Sequence, residues 1–476
     1  MDSRRSVKSL EPFFRPASVA VIGASRVPGK AGYNIIENLQ GMGYRGKIYP
    51  VNPHASKILK LAAYPDVKSL PETPDLAIIV LPPAQVLKSL GECAAKGVKA
   101  VVIEAVGFGE MDASGAKAEA RIKKIAERAG MRVMGPNSVG TINPYTSFDS
   151  SLGRLKKVFL PRDKIRRGTA GFIGQTGLFT GVYLPLINSE IGISKIACLG
   201  NKCDVDESDL LEYCGADPPT KVIAMYLESV TDGPRFLKLA RRIIRKKPII
   251  VLKSAVTSSG AKASETHTGA IAGEDRVYDA AFRQAGIIRV GSFEELWDVT
   301  RAFVCTTPPR GSRVAIVNLA GSSCVTAADA CVKYGLQIAR LSPATREKIK
   351  TVYPEWWQVR SPIDVWVSIE ASGFEKTYVT ITRAVMEDKN VDAVIAVMGA
   401  NNWLDGKSVP GLFTDIRREF PLKPLFIVSM PGDWSVYLKM QRGFQNIGIP
   451  CYTRDEDAIA SLAALRRYRQ YLNSAD

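Results

Sequence analysis

Histidine is nearly absent from this chain: only His54 and His267 occur in 476 residues, which excludes a histidine-rich metal centre. The eight cysteines, at 93, 198, 203, 214, 305, 324, 331 and 451, form no CxxC pair and no Cys/His cluster of zinc spacing. They are expected to be reduced, largely buried thiols of an intracellular protein, with no metal site. No apolar run reaches the roughly 20 residues needed to span a bilayer, and the opening MDSRRSVKSLEPFF lacks a signal-peptide core. A cytoplasmic protein without membrane contact is expected.

Acidic residues are outnumbered, 47 Asp and Glu against 64 Lys and Arg, and the resulting +17 favours polyanionic partners in general. The densest basic clusters, Arg241-Arg242 with Arg245-Lys246-Lys247 and Arg466-Arg467 with Arg469, fall at expected helix ends and read as solvated faces. With no RNA-binding signature and no ladder of basic and aromatic residues, nucleic acid is not an expected partner. What is present is ordinary for a soluble globular protein: 46% hydrophobic and 23% charged residues, in a length that suggests about three domains.

Near the N-terminus, Val19-Ala20-Val21-Ile22 is an apolar, β-rich run that stops at Gly23-Ala24-Ser25; after Gly29 and Gly32 a helical pattern covers Tyr33 to Leu39. This predicts a buried parallel strand, a phosphate-sized turn and a helix N-terminus. Further strands at Lys47 to Val51, Leu76 to Leu81, Ala100 to Glu104 and Arg132 to Met134 predict a doubly wound α/β sheet. The turn is not a full GxGxxG, and the second strand ends in Val51-Asn52-Pro53-His54, without a carboxylate for a ribose diol. That disfavours NAD, and with it a dehydrogenase. A nucleotide with a phosphorylated ribose, or one bound without that contact, fits better, and coenzyme A meets both conditions.

A Lys- and Arg-rich connection, Gly153 to Gly168, leads to a strand at Thr169 to Gly174, after which Gln175-Thr176-Gly177 is expected to open a helix able to hold a phosphate. Later strands are Val222 to Leu227, ending at Glu228, and Pro248 to Leu252. The latter is followed by Ser264-Glu265-Thr266-His267-Thr268-Gly269-Ala270-Ile271-Ala272-Gly273, expected as a small-residue loop before an amphipathic helix led by Glu274-Asp275. His267 is poorly placed there for core packing and well placed to meet an anion, where imidazole can attack phosphorus; the alternative is a helix-capping loop with an incidental histidine. All three segments end at strand carboxyl termini, where ligands of open α/β sheets collect. A third unit follows Thr306-Thr307-Pro308-Pro309-Arg310-Gly311, with a strand at Val314 to Asn318, a turn at Ala320-Gly321-Ser322-Ser323, a helix from about Val325, and strands at Ala393 to Val397 and Leu425 to Val428. The expected domains are 1–150, 151–305 and 306–476.

Taken in order, PFFRPASVAVIGAS, KIYPVNP, GPNSVGTINP, FIGQTG, LGNKCDVDESDLLEY, VIAMYLES, SETHTGAIAGEDRVYDAAFRQAG and SPIDVW make the chain resemble the α subunit of the ADP-forming acyl-CoA synthetases related to succinyl-CoA synthetase, from about Leu10 to about Leu472. The resemblance implies a Rossmann-like CoA-binding domain followed by two flavodoxin-like domains. It implies that acyl-CoA, phosphate and ADP interconvert with free acid, CoA and ATP through an acyl phosphate and a phosphohistidine. His267 matches the phosphorylated histidine and Glu228 the carboxylate that hydrogen-bonds it. Phosphate would be held by Gln175, Thr176 and Gly177, by Thr268 and Gly269, and by Gly321, Ser322 and Ser323. CoA would lie along Gly23, Ala24 and Ser25, along Val51, Asn52 and Pro53, and along Leu81 and Pro82, with its thiol near Pro136, Asn137 and Ser138. ADP or ATP with magnesium would belong to a partner β subunit of ATP-grasp type, because no such domain is legible here, and an α2β2 assembly is expected.

Three departures from the family pattern stand out. Gly321-Ser322-Ser323-Cys324 is poorer in glycine than the family's turn, so any backbone with φ > 0 there would be strained or remodelled. Ser361-Pro362-Ile363-Asp364 replaces Asn-Pro-x-Asp, and Ala105-Val106-Gly107-Phe108 replaces a Ser-Gly-Phe sequence. A competing expectation is a CoA- or acyl-CoA-binding regulatory protein of the same fold without catalysis. The acyl group is not named by the sequence; Trp356, Trp357 and Trp403 suit a bulky or aromatic pocket, and equally an interface or a core.

Overall fold

The computed structural model describes residues 6–153, 165–268, 274–402 and 404–474, with backbone alone for 265–268. Two compact units, Met1–Gly291 and Ser292–Asp476, divide the chain.

The first unit carries two sheets. In the first, five parallel strands lie in the order Lys47–Val51, Ser18–Ile22, Leu76–Ile79, Ala100–Ile103 and Arg132–Met134. Strands Ser18–Ile22, Leu76–Ile79 and Ala100–Ile103 are buried at every residue, as expected when helices cover both faces of a parallel sheet. The strand order reverses between Ser18–Ile22 and Leu76–Ile79, which places the turn at Gly23 and the turn at Leu81 beside a topological switch point. The helix Ala31–Gly41 begins two residues before the expected Tyr33 and packs Gly32 against the first turn.

The second sheet runs Ile288–Val290, Ile249–Lys253, Val222–Leu227, Arg167–Gly174 and Ile193–Cys198 in parallel, then adds Thr141–Asn143 and Phe148–Asp149 as an antiparallel edge. Those last two strands precede residue 150, so the N-terminal stretch itself contributes a hairpin to the second sheet. Buried charges reinforce the junction. Arg132, 1% exposed, donates to Asp204 at 3.0 Å and Asp209 at 2.5 Å, while the amide of Val133 also donates to Asp204 at 2.8 Å. Truncating Arg132 would take from two buried carboxylates the guanidinium they share, a loss of about 3–5 kcal/mol.

In the second unit, Gln337–Ile338, Arg313–Asn318, Ala393–Ala400, Leu425–Pro431 and Cys451–Tyr452 form a parallel sheet, and the short Ile363–Asp364 pairs with the end of Arg313–Asn318. Strand alternation splits the core. Ala315 and Val317 face one layer with Tyr378 and Phe444, whereas Val314 and Ile316 face the other with Phe426 and Tyr452. The helix expected from about Val325 begins at Gly321 and runs to Lys333. All eight cysteines are free thiols, and no helix among the described residues is long and apolar enough to cross a membrane.

Candidate active site

Strand Val222–Leu227 carries Glu228 to the carboxyl edge of the second sheet, and the neighbouring strand Arg167–Gly174 carries Gln175 beside it. Gln175 is buried, and its Oε1 accepts from the amides of Glu228 at 2.9 Å and Ser229 at 3.2 Å. It therefore fixes the turn on which Glu228 sits. Glu228, 3% exposed, accepts at Oε1 from the Tyr226 hydroxyl at 3.3 Å and at Oε2 from the Ser264 hydroxyl at 3.1 Å. Ser264 lies on the helix Ser258–Thr268, one turn before position 267, so the carboxylate is tied to the element that carries His267.

The helix itself corrects the expected loop. Thr257 Oγ1 accepts from the amide of Gly260 at 3.1 Å, and its carbonyl accepts from Ala261 at 2.7 Å, a capping arrangement that starts a helix of small residues without an apolar stripe. His267 thus stands at the penultimate position of a helix, not in a loop. Its imidazole, the side chain of Thr268, and Gly269 lie outside the described residues.

A second correction concerns Gln175-Thr176-Gly177, which open no helix. Turns occupy the segment that follows, and the helix Leu184–Glu190 starts only at Leu184. Local bonds take the place of helical ones: Thr176 Oγ1 accepts from Leu178 N at 3.1 Å, and the Gly177 carbonyl accepts from Thr180 N at 3.2 Å and Gly181 N at 3.1 Å. Two glycines and two threonines within seven residues favour such turns over a helix. A helix-dipole site for phosphate at these three residues is therefore withdrawn.

Two lysines lie at the same edge, Lys253 buried and Lys202 half-buried, and neither is marked out by the sequence. Lys202, held at φ 63°, donates to Glu207 Oε2 at 2.9 Å and to the Ser229 carbonyl at 2.9 Å. Lys253 ends the strand Ile249–Lys253 in register with Leu227, and its Nζ lies 4.5 Å from the centre of the Tyr278 ring. Burial pushes the Lys253 ammonium down to about 8, with the carboxylates of Asp275 and Glu228 opposing the shift. The available signal was a lone cation closing the apolar run Ile249 to Leu252.

In the first sheet, Gly23 adopts φ 93°, where a Cβ would stand 2.7 Å from the Val80 carbonyl oxygen and 3.0 Å from Leu81 Cδ2. A Cβ on Gly32 would stand 2.3 Å from the Gly23 carbonyl oxygen, so the helix start and the turn are in direct backbone contact. Asn52 closes the cradle by donating to the Ala24 carbonyl at 2.6 Å and accepting from His54 N at 2.8 Å; Ser25 Oγ accepts from Val27 N at 3.0 Å. Gly23, Ala24, Val51, Asn52 and Leu81 are thus one local structure, while Pro53 and Pro82 lie exposed at its rim. A narrow turn whose backbone admits no side chain suits a pyrophosphate-bearing nucleotide.

Pro136 is buried, and Asn137 has φ 60°. The loop after strand Ile193–Cys198 packs on them: the Pro136 carbonyl accepts from Asn201 N at 2.9 Å, and a Cβ on Gly200 would stand 2.1 Å from that same oxygen. Asn201 Nδ2 donates to Glu110 Oε2 at 2.6 Å, and the Glu110 carboxylate accepts from Gly107 N at 2.6 Å and Phe108 N at 3.2 Å. The Ala105-Val106-Gly107-Phe108 departure therefore sits against the Asn137 turn, where the Asn137 amide donates to the Ala105 carbonyl at 2.9 Å.

Gly321, Ser322 and Ser323 belong to the second unit, where they form the first turn of the helix Gly321–Lys333. No residue from Ala320 to Cys324 is among those with positive φ, so the glycine-poor turn carries none of the expected strain. Ser323 Oγ accepts from Asn318 Nδ2 at 2.9 Å and donates to Asp455 Oδ2 at 3.3 Å. Asp364 stands close to Gly321, with its Oδ2 2.9 Å from where a Cβ would be. Trp356, Trp357 and Arg360 line a 710 Å³ cavity beside Gly321 and Asp364; Trp403 lies outside the described residues.

Two family models match the chain: a CoA binding domain over residues 17–144 and a succinyl-CoA ligase like flavodoxin domain over residues 167–303. The chain is 41% identical over 466 residues to the ADP-forming acetate–CoA ligase II of Archaeoglobus fulgidus, with 97% of this chain and 67% of that one covered. It is 36% identical over 461 residues to subunit alpha of the ADP-forming acetate–CoA ligase II of Pyrococcus furiosus, covering 96% and 97%. The acetyl-coenzyme A synthetase 1 of Ca. Korarchaeum cryptofilum, solved with phosphate and ADP, shares 31% identity at a TM-score of 0.86 over 98% of this chain and 97% of that one. Likeness of this extent, running through both compact units, makes the chain a member of the ADP-forming acetate–CoA ligase family, aligned with its α subunit.

Proposed function

We propose that the chain is the phosphohistidine-bearing subunit of an ADP-forming acyl-CoA synthetase. The observation that carries this is the buried Glu228 carboxylate, bonded through Ser264 to the helix of His267. A phosphate oxygen attacks the acyl-CoA carbonyl, the C–S bond breaks, and CoA leaves with a proton as the thiol. An imidazole nitrogen of His267 then attacks phosphorus, the P–O bond to the acyl group breaks, and the carboxylate departs. A carboxylate at the other ring nitrogen, the role given to Glu228, fixes the tautomer and stabilises the charge that develops. Finally the P–N bond breaks as an ADP oxygen takes the phosphoryl group. Each step is reversible.

CoA is assigned to the Gly23–Ser25 turn, supported by the bare-backbone cradle there and by the matching CoA binding domain. ADP or ATP with magnesium is assigned to a separate β subunit of ATP-grasp type in an α2β2 assembly; the α-subunit relative supports a partner, as does the greater length of the Archaeoglobus protein. Coexpression with such a subunit should yield a complex that makes ATP from acetyl-CoA, ADP and phosphate, while the purified chain alone makes none. Steady ATP synthesis by the chain alone would refute the division of labour.

A further inference from the structure

We propose that the Lys253 ammonium binds the phosphoryl group at this site, donating to its oxygens as the group passes to or from position 267; the phosphohistidine reading above is assumed. Lys253 ends a strand whose residues are all buried, at the sheet edge where Glu228 also emerges. Among the described residues its Nζ has one hydrogen bond, to the carbonyl of neighbouring Ser254, and the face of the Tyr278 ring 4.5 Å away. Among the described residues it makes no ion pair. Asp275 is paired with Arg289, and the half-buried Lys202 at this edge is bonded to Glu207 and Ser229.

An ammonium offers three donors, and burying one without a carboxylate is costly. Such a cation is retained where an anion visits. Tyr278 holds it in place, since the Tyr278 hydroxyl accepts from Val230 N at 3.3 Å and so links the ring to the turn that follows Glu228 and Ser229. The charged groups bearing on Lys253 are Glu228 from the adjacent strand end, Asp275 from the helix Asp275–Gln284, Arg289 from strand Ile288–Val290, and Lys202 from the loop before the helix Glu207–Ala216. Two carboxylates and two cations nearly cancel, which leaves room for a phosphate dianion. Lys253 stays protonated and forms no covalent bond; it offsets charge on the oxygens while the bond to phosphorus is exchanged.

The test uses inorganic phosphate and the full chain, followed by titration calorimetry at several pH values. Wild type should bind phosphate, Lys253→Met should bind about tenfold more weakly or worse, and Lys253→Arg should stay within about threefold of wild type. Wild-type affinity should fall as the pH rises through about 8, where the ammonium is lost, whereas Lys253→Arg should stay level. The arginine variant keeps the test decisive if the methionine variant misfolds. Failure of the phosphohistidine reading would show separately, as wild type that binds phosphate with this dependence on Lys253 yet carries no label. Equal affinity in wild type and Lys253→Met, an alkaline fall that persists in Lys253→Arg, or no phosphate binding by wild type at millimolar concentration would each overturn the proposal.

Discussion

Ser264 donates its hydroxyl to Glu228 across 3.1 Å and 36 positions of sequence, joining the end of one strand to the helix that follows the next. Glu228 itself is expected to matter more than the link. Glu228→Gln should slow phosphorylation of the chain by about 10² to 10⁴-fold without abolishing it, because the nucleophile remains while its tautomer and charge support weaken. Rapid-quench labelling measures this, and an unchanged rate would remove Glu228 from the site.

Gln175→Ala should act on stability. The Gln175 side-chain oxygen satisfies the amides of both Glu228 and Ser229, and its loss leaves one buried and one half-buried donor unpaired, at a cost of about 2 kcal/mol. Denaturant titration should show a lower midpoint for Gln175→Ala, and an unchanged midpoint would contradict this role.

CoA binding should depend on the bare backbone of the first turn. Gly32→Ala places a methyl 2.3 Å from the Gly23 carbonyl oxygen, so the helix and turn must separate. Calorimetry should find CoA bound by wild type more tightly than NAD and bound much more weakly by Gly32→Ala. Tighter binding of NAD than of CoA would make the assignment of this turn wrong.

Glu104 gives a pH-dependent prediction away from the reacting groups. Among the described residues neither of its buried carboxyl oxygens has a hydrogen-bond partner, and burial, with the nearby Asp149 carboxylate, pushes the group well above the usual carboxylate range. The folded chain then holds this proton after the unfolded chain has released it, so this group's contribution to stability is full at acid pH and is lost as the pH rises from about 4 towards the folded value. Glu104→Gln, which does not titrate, should stabilise the protein at pH 7 by about 1 kcal/mol or more, with the gain vanishing near pH 4. A gain that does not change with pH would contradict this.

Much of the architecture was legible where a parallel strand is an apolar run closed by glycine, asparagine or a charge, as at Val19 to Gly23 and Val222 to Glu228, whereas Ile193–Cys198, with Ser194 and Lys195 inside it, gave no such run. The helix of His267 was not legible either. Ser258 to Thr268 has no apolar stripe, and its start depends on the capping hydroxyl of Thr257. The stretch after Gly174 failed in the opposite sense, since Leu178, Phe179 and Val182 mimic helical spacing while Gly177, Gly181 and the threonine hydroxyls hold turns. Gln175 was readable as a site residue, but its bond to the Glu228 amide depends on strand register, which local pattern does not disclose. A lysine after an apolar strand ordinarily reaches solvent, so nothing in the local pattern marks Lys253 as buried.

The central measurement is the phosphorylation of His267. With acetyl-CoA and radiolabelled phosphate, or with labelled ATP when a β subunit is present, label should appear on this chain in an acid-labile, base-stable form. His267→Asn should carry none, since an amide keeps some hydrogen bonding but cannot hold the phosphoryl group, while His54→Asn should label fully. Full labelling of His267→Asn would contradict the account, and a wild type unlabelled by every acyl-CoA and by ATP with the partner would favour a CoA-binding regulatory protein instead.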